Sequence, residues 1–179
     1  PDAALYYLCR MLEGGEDPLF LARHLVRMAS EDIGAADPTA LPLAIAARDS
    51  YDFLGSPEGE LALAQLTVHL ALAPKSNAIY TAYKAARMHV REQPSLPPPK
   101  HILPAPTRFM REEGYAAGYE YDHDAPDAVS GQSYFPEGVE PARFYEPTRY
   151  GAEAQLRERL ALIRRKRHDR AAGGSGRTE

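Results

Sequence analysis

The sequence lacks tryptophan altogether and has one cysteine, Cys9, in 179 residues. A single cysteine excludes an internal disulfide framework and a zinc site made only of cysteines, and it favours a reducing compartment. No apolar run approaches the roughly 20 residues that cross a bilayer, and no basic-then-apolar signal opens the chain. We therefore expect a cytoplasmic location and no membrane partner.

A strong excess of positive charge is also missing, since the formal net charge is −4. This excludes nucleic-acid binding through the charge of the whole chain and leaves a local basic patch open. The apolar fraction of 44% and the charged fraction of 26% are globular values, which exclude wholesale disorder. Because the sequence opens at Pro1 rather than at Met, we expect it to be a piece of a longer protein.

Apolar residues spaced three and four apart predict an all-α fold for the first half, with about five helices. We expect them over about residues 2–13, 18–34, 38–55, 57–73 and 76–93. Asp17, Asp37 and Ser56 each precede a proline and are predicted N-caps. The predicted core-facing residues of the third helix are Leu41, Ile45, Ala46 and Phe53, and those of the fourth are Leu61, Ala64, Val68 and Leu72.

Prolines divide the rest of the chain, since ten of the 16 fall between Pro94 and Pro147. We predict a helical collar and oligomerisation core over residues 1–93. An irregular strap rich in proline and tyrosine, residues 94–148, is expected to lay its rings on that core, with one short helix at about 107–113. A basic helix over 149–170 and a flexible tail over 171–179 complete the predicted organisation.

Four strings carry a resemblance to a known family: SEDIG (30–34), APKSNAIYTAY (73–83), APTRFMREEGYAAGYEYDHD (105–124) and FYEPTRYGAE (144–153). Together they resemble the C-terminal region of the replication-associated recombination protein A family, also called MgsA. These proteins are bacterial relatives of the Werner-helicase-interacting ATPase, in the clamp-loader branch of the AAA+ ATPases. The resemblance runs to about Glu153. It implies a collar-like helical domain that holds a homotetrameric ring together.

For the full-length protein, the resemblance implies a nucleoid-associated, DNA-dependent ATPase that acts in replication, recombination and repair at stalled forks. DNA and single-strand-binding protein are the implied partners, and ATP and Mg²⁺ are expected in an N-terminal part. This chain contains no G-x-x-x-x-G-K-[ST] motif, so we expect no catalytic, cofactor-binding or metal-binding residue in it. Ile102-Leu103-Pro104 stands where the family commonly has an Arg-Asn pair, so a contact made by that pair is expected to be absent.

Two groups of residues are candidates for an oligomer interface. Tyr6, Tyr7 and Leu8 lie beyond the main apolar stripe of the first helix. Glu31 and Asp32 end the second helix, where carboxylates oppose the helix dipole. We expect an arginine of another helix or subunit to offset that cost, with simple solvation as the alternative.

Two further groups are candidates for contacts with DNA or another anion. Lys75 stands beside a helix start, where backbone N–H groups can hold phosphate, although capping by Ser76 alone also explains the pattern. The run Arg164, Arg165, Lys166 and Arg167 could follow a phosphate backbone or could be a solvated helix end. The tyrosines of the strap could stack bases, but the sequence interleaves no arginine or lysine among them, so packing is favoured.

Asp122-His123-Asp124 has the side chains of a metal site. Adjacent residues in a loop rarely converge on one ion, so a structural role is favoured. His24, His69 and His89 are expected in packing, and Cys9 is expected to be a small apolar side chain on the buried face of its helix. The leading function is therefore a non-catalytic oligomerisation domain. The alternatives are a DNA- or partner-binding module that uses the basic helix, and a metal-dependent hydrolase.

Overall fold

The structure is a computed structural model that describes residues 1–174. Over these residues it is all-α, with seven α-helices and no strand, which confirms the predicted fold class. The helices are α1 (Asp2–Glu13), α2 (Pro18–Met28), α3 (Ala40–Leu54), α4 (Glu60–Leu72), α5 (Ala78–Glu92), α6 (Arg108–Glu112) and α7 (Glu153–Gly174). Helix α7 continues to Gly174, into the predicted tail, and residues 175–179 of that tail lie outside the described range.

Capping predictions at the helix starts have three different outcomes. Asp17 is confirmed as a cap, because its Oδ1 accepts from the Leu19 N–H at 3.0 Å. The Asp37 carboxylate instead accepts from the N–H and hydroxyl of Thr39, and α3 begins at Ala40. The Ser56 cap is wrong: its hydroxyl lies 3.1 Å from the Tyr51 Oη, and α4 begins only at Glu60.

The chain forms two compact units, each made of two stretches of sequence. The first unit contains Pro1–Ala85 and Phe144–Arg157, and the second contains Ala86–Arg143 and the chain from Glu158 onward. The helices α5 and α7 each contribute residues to both units. The expected boundaries at 93, 148 and 170, and the expected packing of the strap on the core, stay predictions.

The core of the first unit lies around α4, which contacts α1, α2 and α3. One cluster joins α3 and α4 to the segment that follows α2, and a second joins α1, α2 and α4. The first consists of Ala29, Ile33, Ala40, Ala44, Ala47, Leu66, Leu70 and Ala73, and the second of Leu8, Leu21, Ala22 and Leu63.

The predicted buried face of α3 is wrong, and that of α4 is wrong at Leu61 and Leu72 but not at Ala64, which is partly buried against the core. Helix α3 packs through its alanines and leaves Leu41, Ile45 and Phe53 exposed, with Phe53 at 88%. Helix α4 buries Leu63, Leu66, Thr67 and Leu70, whereas Leu61 and Leu72 are exposed. Small side chains let neighbouring helices approach closely, and α4 is apolar on nearly every side, so spacing alone could not select its buried face. Cys9 is also exposed, contrary to expectation.

The second unit is mostly irregular chain that is fixed by specific hydrogen bonds. Lys100 donates from Nζ to the carbonyl of Glu113 at 2.9 Å, and its own carbonyl accepts from the Ala116 N–H. The predicted short helix is present as α6, capped by the Thr107 hydroxyl, which accepts from the Met110 N–H. Within residues 1–174, each helix is too short or too polar to cross a membrane.

Candidate functional site

A buried carboxylate holds together one end of the first unit. Glu153, the first residue of α7, is completely buried. Its Oε2 accepts from the Ser76 hydroxyl at 2.7 Å, from the Thr148 hydroxyl at 2.6 Å and from the Thr148 N–H at 2.9 Å. Its Oε1 accepts from the Tyr145 hydroxyl at 2.9 Å. We call these four residues the Glu153 junction.

The electrostatics of this junction keep Glu153 ionised near neutral pH. Burial acts to raise its pKa, but the hydrogen bonds from Thr148, Ser76 and Tyr145 together outweigh burial, so the pKa is lowered. Burial, with the carboxylate beside it, raises the pKa of Tyr145 to about 12. A carboxylate that is surrounded by donors and held in its charged form is suited to fixing chain segments rather than to exchanging protons.

Three of the four strings that carry the family resemblance meet at this junction. The Ser76 N–H donates to the Asp32 carbonyl, and the Ala152 N–H donates to the Ala36 carbonyl, both at 2.8 Å. Gly151 has a positive φ of 53° and packs so closely that a Cβ there would collide with the Ala36 carbonyl and lie 2.6 Å from the Pro74 Cγ. These strings are therefore tied to one another by packing requirements.

Lys75 is engaged within the same region. Its Nζ donates to the carbonyls of Ala73 at 2.6 Å, Leu70 at 2.9 Å and Ala71 at 3.4 Å, at the C-terminus of α4. A cation at this position complements the helix dipole. The Ser76 hydroxyl accepts from the Ala78 N–H at 3.2 Å, which confirms its predicted capping role. A phosphate contact of Lys75 would have to compete with these carbonyls.

The predicted interface residues of α1 are divided between surface and core. Tyr6 is 58% exposed and Tyr7 is 64% exposed, with their rings edge-on at 5.3 Å. Leu8 is only 4% exposed, which corrects its placement on the surface: its side chain packs in the core. Leu8 and the partly exposed Met11 line a small apolar groove of about 200 Å³, together with residues of α2 and α4.

The two predicted acidic residues after α2 also differ from each other. Glu31 Oε2 accepts from Arg27 Nε at 2.8 Å, so its arginine partner comes from the preceding turn of the same helical segment. Asp32 has an exposed side chain, and only its backbone carbonyl joins the junction described above.

The basic run of α7 is partly neutralised within the second unit. Lys166 forms an ion pair with Asp127 at 3.0 Å, and this lowers the pKa of Asp127. The Arg167 guanidinium lies over the ring of Tyr134, 5.4 Å from its centroid. Arg165 is exposed and Arg164 is partly buried.

The Asp122-His123-Asp124 triplet forms a short 3-10 turn. The Asp122 carboxylate accepts from the Ser130 N–H at 2.8 Å, a hydrogen bond that lowers its pKa, and the His123 ring contacts Tyr121. Within the described residues, no three His, Cys, Asp or Glu side chains are placed to share a metal ion. Asp122 therefore has a structural contact of its own.

The histidines that were predicted to pack make separate contacts. His69 Nε2 lies 2.8 Å from Asp37 Oδ2 and joins α4 to the segment before α3. His24 Nδ1 lies 2.9 Å from the Phe20 carbonyl, within α2.

Comparison with known proteins gives a family match over most of the chain. The family model described as MgsA AAA+ ATPase C terminal matches residues 1–164. The chain belongs to this family. The match continues beyond Glu153 and so includes the first half of α7, which the resemblance read from the sequence did not.

Relatives of this MgsA C-terminal domain are found in bacteria and in a eukaryote. The chain is 49% identical over 164 residues to replication-associated recombination protein A of Escherichia coli K12, covering 91% of this chain and 37% of that protein. It is 46% identical to the protein of the same name from Haemophilus influenzae, over 92% of this chain and 37% of the relative. It is 44% identical to ATPase WRNIP1 of Dictyostelium discoideum, over 81% of this chain and 17% of that protein. The chain thus spans well under half the length of these relatives.

Glu153 was missed as a site residue by sequence reasoning. Its position in the first turn of a basic helix is explained by dipole complementarity, which gives no sign of burial. Thr148 and Tyr145 lie a few residues before it, but Ser76 reaches it from across the fold. The best signal was indirect: Glu153 ends the string 144–153, and Ser76 lies in the string 73–83.

Proposed function

We propose that this chain is a non-catalytic oligomerisation domain of a AAA+ ATPase that acts in replication-associated recombination. The observation that carries the proposal is the apolar surface of α1. Tyr6 and Tyr7 are more than half exposed there, and Leu8 and Met11 line an apolar groove. The proposed occupant of this surface is a second copy of the chain.

A symmetric contact suits a surface of this kind. Aromatic side chains dominate interface energetics, because each buries about 150–250 Å² and keeps few rotatable bonds. The two adjacent tyrosines protrude from α1, and the groove lined by Leu8 and Met11 is a recess that can receive a side chain of a second copy. In a closed ring of identical subunits, such a contact repeats at every interface. We propose a tetramer, in which the domain would place each ATPase module against its neighbour.

Further proposals concern the full-length protein. Family membership and the names of the relatives support a DNA-dependent ATPase that works in DNA replication, recombination and repair at stalled forks. We propose that ATP and Mg²⁺ bind in the part outside this chain. Its proposed partners are DNA and single-strand-binding protein, at the nucleoid in the bacterial cytoplasm. The test measures ATP hydrolysis by the full-length protein with and without DNA, and by this chain alone. ATP hydrolysis by this chain alone would contradict the assignment.

Paired variants test the proposed surface. Tyr7→Ser removes an exposed ring from α1, whereas Tyr80→Ser removes an exposed ring from α5 (47% exposed) as a matched control. Light scattering should show that Tyr7→Ser lowers the molar mass at a given concentration, and that Tyr80→Ser leaves it at the wild-type value. If the wild-type chain assembles and Tyr7→Ser has the same molar mass, the proposal that α1 forms the interface is refuted.

The alternative function, a DNA-binding module that uses the basic helix, is favoured by one observation. Arg167 of α7 lies against the ring of Tyr134, so the fold places a cation beside an aromatic side chain of the strap. The expected test is a salt series of DNA affinity, because phosphate contacts give a steep dependence on ionic strength. Affinity that is independent of salt would contradict this function.

A further inference from the structure

An open cleft in the second unit combines aromatic rings with a nearby cation. It has a volume of about 660 Å³ and is lined by His101, Tyr119, Asp122 and Tyr134, together with the apolar segment 102–104 and Ala116. Ligand pockets commonly measure about 300–1,000 Å³, so the cleft has room for a nucleotide. Tyr119 is 50% exposed and Tyr134 is 36% exposed, so parts of both rings are open to solvent.

Tyr119 is held in place from both sides. The side-chain amide of Gln132 accepts from the Glu120 N–H at 3.0 Å and donates to the Gly118 carbonyl. These two bonds fix the backbone on either side of Tyr119 while its ring stays half exposed. A backbone that is fixed before binding loses little conformational entropy when a ligand stacks on the ring it carries.

Tyr134 is held by a second network. The buried Ser130 hydroxyl lies 2.9 Å from the Tyr134 hydroxyl, and the Ser130 N–H donates to Asp122. The Asp122-His123-Asp124 triplet therefore contributes to the wall of the cleft through Asp122. Through Ser130, Asp122 is linked to the hydroxyl of Tyr134.

Positive charge is available beside Tyr134. The Arg167 guanidinium lies over its ring, and Arg165 of the same helix is exposed, whereas Lys166 and Arg170 lie beside the carboxylate of Asp127. Tyrosines with an interleaved arginine are the arrangement that stacks bases and contacts phosphates of a single strand. The sequence order hides this arrangement, because more than thirty residues separate the two partners.

One polar atom at the cleft also lacks a partner. His101 lines the cleft, and its Nε2 is buried and finds no hydrogen-bond partner among residues 1–174. A buried polar atom without a partner is costly, and a ligand in the cleft would reach this one only if the His101 ring moved.

We propose that this cleft binds single-stranded DNA, with a base stacked on Tyr119 and a phosphate contacted by Arg167. Away from its two ends, duplex DNA keeps both faces of every base stacked inside the helix, so its interior cannot present a base face to Tyr119. The cleft accordingly distinguishes single-stranded from double-stranded DNA but does not distinguish base sequence, because every base has a π-face. The proposal rests on the DNA-binding alternative given above and names its site. It is independent of the oligomerisation function, since it uses residues of the second unit only.

The test measures binding of the whole chain to fluorescein-labelled dT20 by fluorescence anisotropy. Tyr119→Ala should weaken binding about 5- to 150-fold, the range for loss of one stacked base, and Tyr119→Phe should retain it. Tyr150→Ala is the matched control, because Tyr150 is 52% exposed with Arg149 over its ring and belongs to the first unit. Tyr150→Ala should leave the affinity unchanged.

Salt dependence separates the two kinds of contact. Arg167→Ala should reduce the slope of log K against log salt by about 0.7, the value for one phosphate contact on a single strand. Tyr119→Ala should leave that slope unchanged, and Arg149→Ala should change neither slope nor affinity. Light scattering of every variant shows whether an affinity change comes from altered assembly instead of from the cleft.

A measurement on the wild-type chain tests base stacking without relying on variants that could fail to fold. An adenine analogue, 2-aminopurine, placed in the middle of dT20 should change its fluorescence on saturation, because its stacking environment changes. Constant 2-aminopurine fluorescence, absence of dT20 binding at low salt, or equal competition by a duplex of the same length would each overturn the proposal. So would equal affinities of the Tyr119→Ala and Tyr150→Ala variants.

Discussion

Replacing Glu153 by alanine tests the structural role of the buried junction. The change removes the acceptor of four hydrogen bonds and leaves the Ser76 and Tyr145 hydroxyls and two donors of Thr148 facing a void. Each buried donor that loses its partner costs about 1–3 kcal/mol, and water entering the space relieves part of this cost. We expect the free energy of unfolding to fall by about 3–5 kcal/mol.

Urea unfolding followed by circular dichroism and tyrosine fluorescence measures this loss. Glu158→Ala is the matched control, because Glu158 is exposed on the same helix, and we expect its effect to stay within about 0.5 kcal/mol. A loss for Glu153→Ala as small as that of the control would refute the reasoning, because the hydrogen bonds would then contribute nothing to stability.

The same carboxylate predicts a pH dependence with a definite sign. Because the pKa of Glu153 is lowered in the folded chain, its contribution is present above the ordinary glutamate pKa of about 4.3. That contribution is lost as the pH falls through the lowered folded value. Glu153→Gln replaces the carboxylate by an amide that does not titrate in this pH range. The stability difference between wild type and Glu153→Gln should be constant from about pH 5 to 7 and shrink below about pH 4. A difference that grows on acidification would contradict the assigned direction.

Other predictions concern single contacts in the first unit. Gly151→Ala should lower the free energy of unfolding by about 3–5 kcal/mol, because its Cβ would collide with neighbouring atoms and its φ is positive. Gly15→Ala has open space at its Cβ, so it should lose only the cost of a positive φ, about 1–2 kcal/mol. Equal losses for the two variants in urea unfolding would disprove the collision. Lys75→Ala should lower the free energy of unfolding by about 1–2 kcal/mol, because its hydrogen bonds to carbonyls are lost. Replacing the exposed Lys84 by alanine should change that free energy by no more than about 0.5 kcal/mol. Asp17→Ala should cost about 1 kcal/mol in melting experiments, and no loss would show that its cap is dispensable.

Helix existence could be read from the sequence because it depends on local signals. Pro18 after Asp17 starts α2, and α1 has the predicted bounds. Which face of a helix is buried depends on its neighbours, and here local reasoning failed. Helix α3 packs through Ala44 and Ala47 while the larger Phe53 is exposed, the opposite of what side-chain hydrophobicity alone predicts.

The candidate sites depend even more on contacts between distant residues. Glu153 meets Ser76 across 77 positions, and Tyr134 meets Arg167 across the second unit. The spacing of residues in sequence carries no information about such pairs. The family resemblance identified the strings around the junction, but not the hydrogen bonds that require them.

The most direct test of the proposed oligomerisation function is the molar mass of this chain by light scattering over a range of concentrations. We predict a mass of about 80 kDa, a tetramer of 19.8 kDa chains, that persists on dilution because a strong interface resists mass action. A constant mass of 19.8 kDa up to the highest concentration would contradict self-assembly by this domain. The proposal of single-stranded DNA binding by the second unit would then still stand to be tested by itself.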